Sequence, residues 1–118
     1  MPASAVFRVM LQMQIKDGLA EEFERVWRDV GGSVTSHPAN LGQWLSRSNE
    51  DGNVYYIVSD WTDESRFREF ETSDRHLEHR QKLHPYRSGG SMTTMTVVAH
   101  LGATGASSVT EREREVAG

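Results

Sequence analysis

The chain has 118 residues, with 17 acidic against 13 basic side chains, five histidines and no cysteine. That length supports one hydrophobic core rather than two, and the lack of cysteine removes disulfides, thiolate nucleophiles and cysteine-ligated zinc or iron–sulfur sites together. A net charge of −4 with interspersed signs offers no basic face to nucleic acid or to an anionic membrane, and without an apolar run of about 20 residues or a leader-like segment the expectation is a soluble, cytoplasmic protein.

Phe7 to Lys16 alternates strictly, with Phe7, Val9, Leu11, Met13 and Ile15 on one face, so it reads as a first strand. The other face carries Gln12 and Gln14, which suit a half-dry cavity or an interface better than open water. Asp17-Gly18 breaks the strand, and Asp17 is placed to cap the next element. Leu19, Phe23, Val26, Trp27, Val30 and Val34 then recur at helical spacing. Gly31-Gly32 interrupts that pattern and predicts a kink or a close approach to the sheet. His37-Pro38 ends the helix.

Leu41 to Ser48 is a second strand carrying Trp44, joined to a third, Val54 to Trp61, by a turn in which Asp51-Gly52 is expected to supply positive φ. Thr62 or Asp63 caps a short helix, and Ser73-Asp74 breaks and re-caps the chain for a longer one, Asp74 to Leu83. Pro85 and Gly89-Gly90 close this region, and Met92 to Leu101 forms the last strand. Residues 102–118, small and charged without an apolar stripe, read as a disordered tail after a domain spanning 1–101.

The resulting order, β-α-β-β-α-β, is the α+β, ferredoxin-like arrangement with an antiparallel sheet. Two helices cover one sheet face. The other needs a cover, and a second copy packed sheet to sheet supplies one, so a homodimer is expected.

The chemistry-bearing residues concentrate between Asn53 and Tyr86. Trp61 ends a strand beside a helix start that can polarise an anion. His76 and His79 lie three apart and share a helix face with Arg80 and Leu83. Either that face meets the sheet and makes a His–Arg pocket, or it is a solvated helix face. His100, on the Thr94/Thr96 face of the last strand, is a further candidate base, and Arg80 and Arg87 can orient a carboxylate or phenolate. Trp27, Trp44, Tyr55, Tyr56 and Phe70 fit the core by periodicity alone. His76 and His79, with Glu78 and Asp74 nearby, find no third ligand at a recognisable spacing, so no metal is expected. Dinucleotide, P-loop, acyl-serine and zincin signatures are absent from the sequence.

The Trp61-Thr-Asp-Glu-Ser-Arg-Phe67-Arg-Glu-Phe70 tract, continued by His76-Leu-Glu-His79-Arg80-Gln-Lys-Leu-His84-Pro85-Tyr86 and combined with this element order, resembles the antibiotic biosynthesis monooxygenase family. The resemblance spans roughly Phe7 to Leu101. It implies a dimeric α+β barrel and, for the best-understood members, oxidation of a phenolic or anthrone-type aromatic polyketide intermediate to a quinone with O2 as co-substrate and no metal or flavin.

Residue by residue, Trp61 matches the family's strand-end tryptophan, implicated there in substrate contact. His79 or His100 then stands as base or anion stabiliser, and Arg80, Phe67, Phe70, His76, Trp44 and Tyr86 as substrate-binding residues. Ile57 and Phe67 occupy positions where some quinone-forming members carry asparagine and tyrosine. That difference leaves open a non-oxidative role on the same scaffold, steering cyclisation of a poly-β-ketone or holding an intermediate. Heme-degrading relatives match less well: Gln12 or Gln14 and Phe70 replace the asparagine and tryptophan those enzymes use, and only His79 falls near their histidine.

Overall fold

A computed structural model describes residues 5–103. The chain runs β1 (Val6–Ile15), α1 (Ala20–Thr35), β2 (Asn40–Arg47), β3 (Val54–Trp61), α2 (Glu64–Glu71), α3 (Asp74–Leu83), a 3-10 turn (His84–Tyr86) and β4 (Arg87–Val97). The four strands form one antiparallel sheet in the order β2-β3-β1-β4. This is the expected ferredoxin-like α+β topology. The tail assigned from sequence lies outside the described residues from position 104 onward.

The alternation of β1 is realised in the sheet. Phe7, Val9, Met13 and Ile15 are buried under the helices, and β3 adds Tyr55, Ile57, Ser59 and Trp61 to that face through the register Phe7↔Trp61, Val9↔Ser59, Leu11↔Ile57 and Met13↔Tyr55. The core beneath the helices is split. One cluster gathers Phe7, Val9, Ala39, Trp61, Phe67 and Phe70, and the other Met13, Ile15, Ala20, Phe23, Tyr55 and Ile57. Tyr55 also ties β3 to α1, its hydroxyl donating to Glu24 Oε2 at 2.5 Å. Burial and that carboxylate push the Tyr55 phenol up to about 12.

On the opposite sheet face Arg8 grips Asp60 with both arms, Nε to Oδ1 at 2.7 Å and Nη2 to Oδ2 at 2.8 Å. Trp44 lies on this same face, paired with Val58 and 51% exposed.

Four local expectations need correction. Asp17 does not cap α1: the helix starts two residues after Gly18, whose φ of 81° turns the chain, Leu19 takes the cap position without a side-chain hydrogen bond, and Asp17 Oδ1 instead accepts from Asn53 Nδ2 at 3.4 Å. Gly52 does not adopt positive φ. The β2–β3 connection is too long to need a mirror-image turn. It is held by side chains: Ser48 Oγ accepts from the amides of Glu50 and Asp51, and Asp51 Oδ1 from the amide of Asn53.

The last strand begins at Arg87 and ends at Val97, not at Leu101. Gly89 and Gly90 belong to it, opposite Gln14 and Met13. A Cβ on Gly90 would sit 2.6 Å from the Gln12 carbonyl oxygen, so glycine permits this close approach rather than ending the element. His100 therefore falls beyond the sheet and is exposed.

The expectations at the caps of α2 and α3 and at Gly31 stand. Asp63 caps α2 by accepting from the Arg66 amide at 2.8 Å, and Ser73 caps α3 by accepting from the His76 amide. At Gly31 the close approach is realised, because Gln43 Nε2 from β2 donates to the Gly31 carbonyl at 2.9 Å.

Candidate active site

A cavity of about 410 Å³ lies between the two core clusters, roofed by α1 and α3 and floored by the sheet. Its size falls within the range of roughly 300–1,000 Å³ common to small-molecule sites. The split core explains it: β3 places the small, polar Ser59 between Ile57 and Trp61 on an otherwise apolar face, so the helices have nothing bulky to pack against there.

Trp61 forms one wall. It is 1% exposed, and its ring packs at centroid distances of 5.3 Å from Phe67, 5.0 Å from Phe70 and 5.6 Å from His37. Its indole N–H donates to Ser59 Oγ at 2.9 Å, which fixes the ring plane. His37 stays outside the lining, behind Trp61, with Nδ1 accepting from the Ala39 amide.

The two readings left open for the α3 face resolve in favour of the pocket. His76, His79, Arg80 and Leu83 all line the cavity, joined by His84. Ser73 caps the helix that carries them, and Arg80 and His84 reach the lining from exposed positions. His76 packs on Phe70 at 4.6 Å between centroids and lies 6.5 Å from His79. His79 is only 8% exposed. The Nδ1 atoms of both imidazoles are buried and without a hydrogen-bond partner. Burial is the main force holding both below the ordinary histidine value. Arg80 and His79 add to it for His76, and Lys82 and Arg75 for His79. Both imidazoles in the lining are thus biased toward the neutral form, each with a buried, unpartnered Nδ1.

The other sequence-derived candidates divide. Phe67 and Phe70 line the cavity beside Trp61. Trp44 is on the far face of the sheet, Tyr86 packs against the second core cluster without lining the cavity, and His100 is exposed past the end of β4. The reason for His100 is the strand shift: an end-of-strand position became a position beyond the strand. Trp27, Gln43, Ser59, Glu71 and Arg87 line the cavity without having been singled out as site residues, apart from the pairing of Arg87 with Arg80 as a possible anion clamp. Ser59 and Gln43 carried a readable signal, each being polar on a sheet face otherwise committed to the core. Among the described residues no group of three or more His, Asp or Glu side chains converges as a metal site.

The family signature covers residues 6–82, from the first residue of β1 to the last turn of α3. The chain belongs to the antibiotic biosynthesis monooxygenase family. Among curated relatives, Protein SchA of Streptomyces halstedii is 29% identical over 82 residues, 70% of this chain and 22% of SchA. The 42.8 kDa protein in the whiE locus of Streptomyces coelicolor is 27% identical over 71 residues, 60% of this chain and 18% of that protein. The chain thus spans about a fifth of the length of these two relatives. In structure it resembles SnoaB, a cofactor-independent oxygenase from Streptomyces nogalater, with a TM-score of 0.72, 22% identity, and coverage of 85% of this chain and 99% of that one. At that identity the likeness speaks for the fold.

Proposed function

We propose that this family member is a cofactor-independent monooxygenase that oxidises a phenolic or anthrone-type aromatic polyketide intermediate to a quinone with O2. The observation that carries the reading is that two imidazoles, half-buried His76 and buried His79, each with an unpartnered Nδ1, belong to the lining of a cavity walled by Trp61, Phe67 and Phe70. Family membership supports an oxygenase-type enzyme in general, and the SnoaB fold likeness is consistent with the absence of a cofactor.

The chemistry needs a base, a dry cavity and an electron-rich ring. His79 takes a proton from the substrate, and the resulting anion is stabilised by the cavity's polar groups and the Arg80 guanidinium. The anion passes one electron to O2. The substrate radical and superoxide combine to form a C–O bond, and the peroxide receives the proton held on His79. Loss of water breaks the O–O bond and leaves a carbonyl, so a CH2 and O2 become C=O and H2O. Trp61, Phe67 and Phe70 hold the flat ring and exclude water from the radical pair.

A second reading has its own observation. Ile57 and Phe67, which stand where some quinone-forming relatives carry polar side chains, both line the cavity. An apolar surface there suits binding or cyclisation of a poly-β-ketone without oxidation. Turnover of an anthrone under 18O2 and under nitrogen separates the two. The oxygenase reading expects oxygen-dependent formation of a quinone carrying one 18O atom, and rejection follows if purified protein yields no quinone above the uncatalysed rate.

We further propose a homodimer, with the Trp44-bearing sheet face, on which Met10 and Val58 also lie, as the shared surface. Light scattering tests it, and a monomer at micromolar concentration rejects it.

A further inference from the structure

His79 is tied to α1 by a hydrogen bond between its Nε2 and the Ser33 Oγ. Ser33 Oγ also lies 2.8 Å from the Val30 carbonyl oxygen, in donor geometry. A serine hydroxyl has one proton, a carbonyl oxygen has none, and a neutral imidazole has one proton on either ring nitrogen. Only one distribution satisfies both contacts. The Ser33 proton goes to Val30, and the His79 proton sits on Nε2 and goes to Ser33. The reverse would set the Ser33 and Val30 oxygens against each other at 2.8 Å, lone pair to lone pair, at a half-buried position.

We propose that Ser33 is a positioning residue that fixes His79 in the Nε2–H tautomer, leaving Nδ1 as its unprotonated nitrogen. Two further observations agree. Nδ1 of His79 is buried with no partner. Ser33 does not line the cavity while His79 does, so Nε2 is committed to a residue outside the lining. The arrangement parallels the general logic of a base whose far nitrogen is held by a third group, with a serine anchored by a helix carbonyl in that role. It also identifies Ser33 as a holder of the base and not as a nucleophile, since its proton is already committed to Val30.

A role of His79 as base rests on the oxygenase reading above, but the tautomer itself does not. Two-bond 1H–15N correlation spectra of 15N-labelled protein at pH 8, with His79 assigned by its loss in His79→Gln, read the tautomer directly. The expected result is a protonated Nε2 and a bare Nδ1 for His79. In Ser33→Ala the separation between the two nitrogen shifts should shrink as the tautomers mix, and Ser33→Thr should restore it.

A bare Nε2 in the wild-type protein overturns the proposal, as does Ser33→Ala with wild-type shifts. Covalent labelling of Ser33 by a fluorophosphonate also overturns it, because that reaction needs the serine proton on His79. Should Ser33→Ala not fold, the wild-type spectrum and Ser33→Thr decide on the same criterion. A protein that shows the tautomer but forms no quinone keeps this assignment and loses the oxygenase reading.

Discussion

Two adjacent glycines in α1 should respond unequally to the same substitution. Replacing glycine by alanine inside a helix ordinarily stabilises it by about 0.5–1 kcal/mol, because alanine loses less backbone freedom on folding. At Gly32 a Cβ meets nothing within 4 Å, so Gly32→Ala should realise that gain. At Gly31 the Cβ would lie 3.1 Å from Gln43 Nε2, the atom that donates to the Gly31 carbonyl at 2.9 Å. The Gln43 amide must then move, and losing a half-buried hydrogen bond costs about 0.5–1.5 kcal/mol. The two terms at Gly31 oppose each other, and because the helix gain is common to both variants they should lie about 0.5–1.5 kcal/mol apart, the hydrogen-bond term alone.

For a domain of this size about 1 kcal/mol corresponds to roughly 4–8 °C in Tm. Thermal and urea unfolding at one fixed protein concentration, so that any self-association is held constant, should therefore place Gly32→Ala above the wild type and Gly31→Ala below Gly32→Ala. The displaced Gln43 amide should also alter ligand affinity in Gly31→Ala alone, because Gln43 lines the cavity. If both glycines respond alike in stability, the contact at Gly31 does not control its environment and the reasoning fails.

Two further outcomes are expected. Trp61→Phe keeps most of the apolar volume but leaves a gap and removes the donor to Ser59 Oγ; urea unfolding should show a loss of about 1–3 kcal/mol with an unchanged m-value. Acidification should destabilise the protein through His76 and His79. Both are held below the ordinary value of 6.5 in the folded state, so the unfolded chain binds the extra protons first. Stability should be level above about pH 6.5 and fall as pH drops through 6.5 toward the lower folded values. The denaturation midpoint in His79→Gln should depend less on pH over that window than in the wild type, and an equal slope would show that His79 is not a desolvated, neutral group.

The elements whose pattern depends on near neighbours were legible in the sequence. The alternation of β1 and β3 assigns which side chains meet the helices, since period 2 leaves no choice once one face is apolar. Asp63 and Ser73 cap α2 and α3 because a cap is a contact within one helical turn. The order of elements fixed the ferredoxin-like topology, and the tract from Trp61 through His84 pointed to the family.

Only the tertiary structure decided features that depend on what lies across the sheet or on another helix. The glycines at 89 and 90 look like punctuation in the chain, yet β1 crosses so close to Gly90 that a side chain would collide with it, and the strand therefore starts at Arg87 and leaves His100 outside. Trp44 satisfies a core pattern locally but is on the face of β2 that no helix covers among the described residues. His76 and His79 could be read as a solvated helix face or as a pocket wall, and the pattern along the helix favoured the solvated one. Packing of α3 over the sheet, opposite the gap at Ser59, brings them to the cavity. The pairing of His79 with Ser33 joins residues 46 positions apart, and no spacing rule along one chain reaches that far.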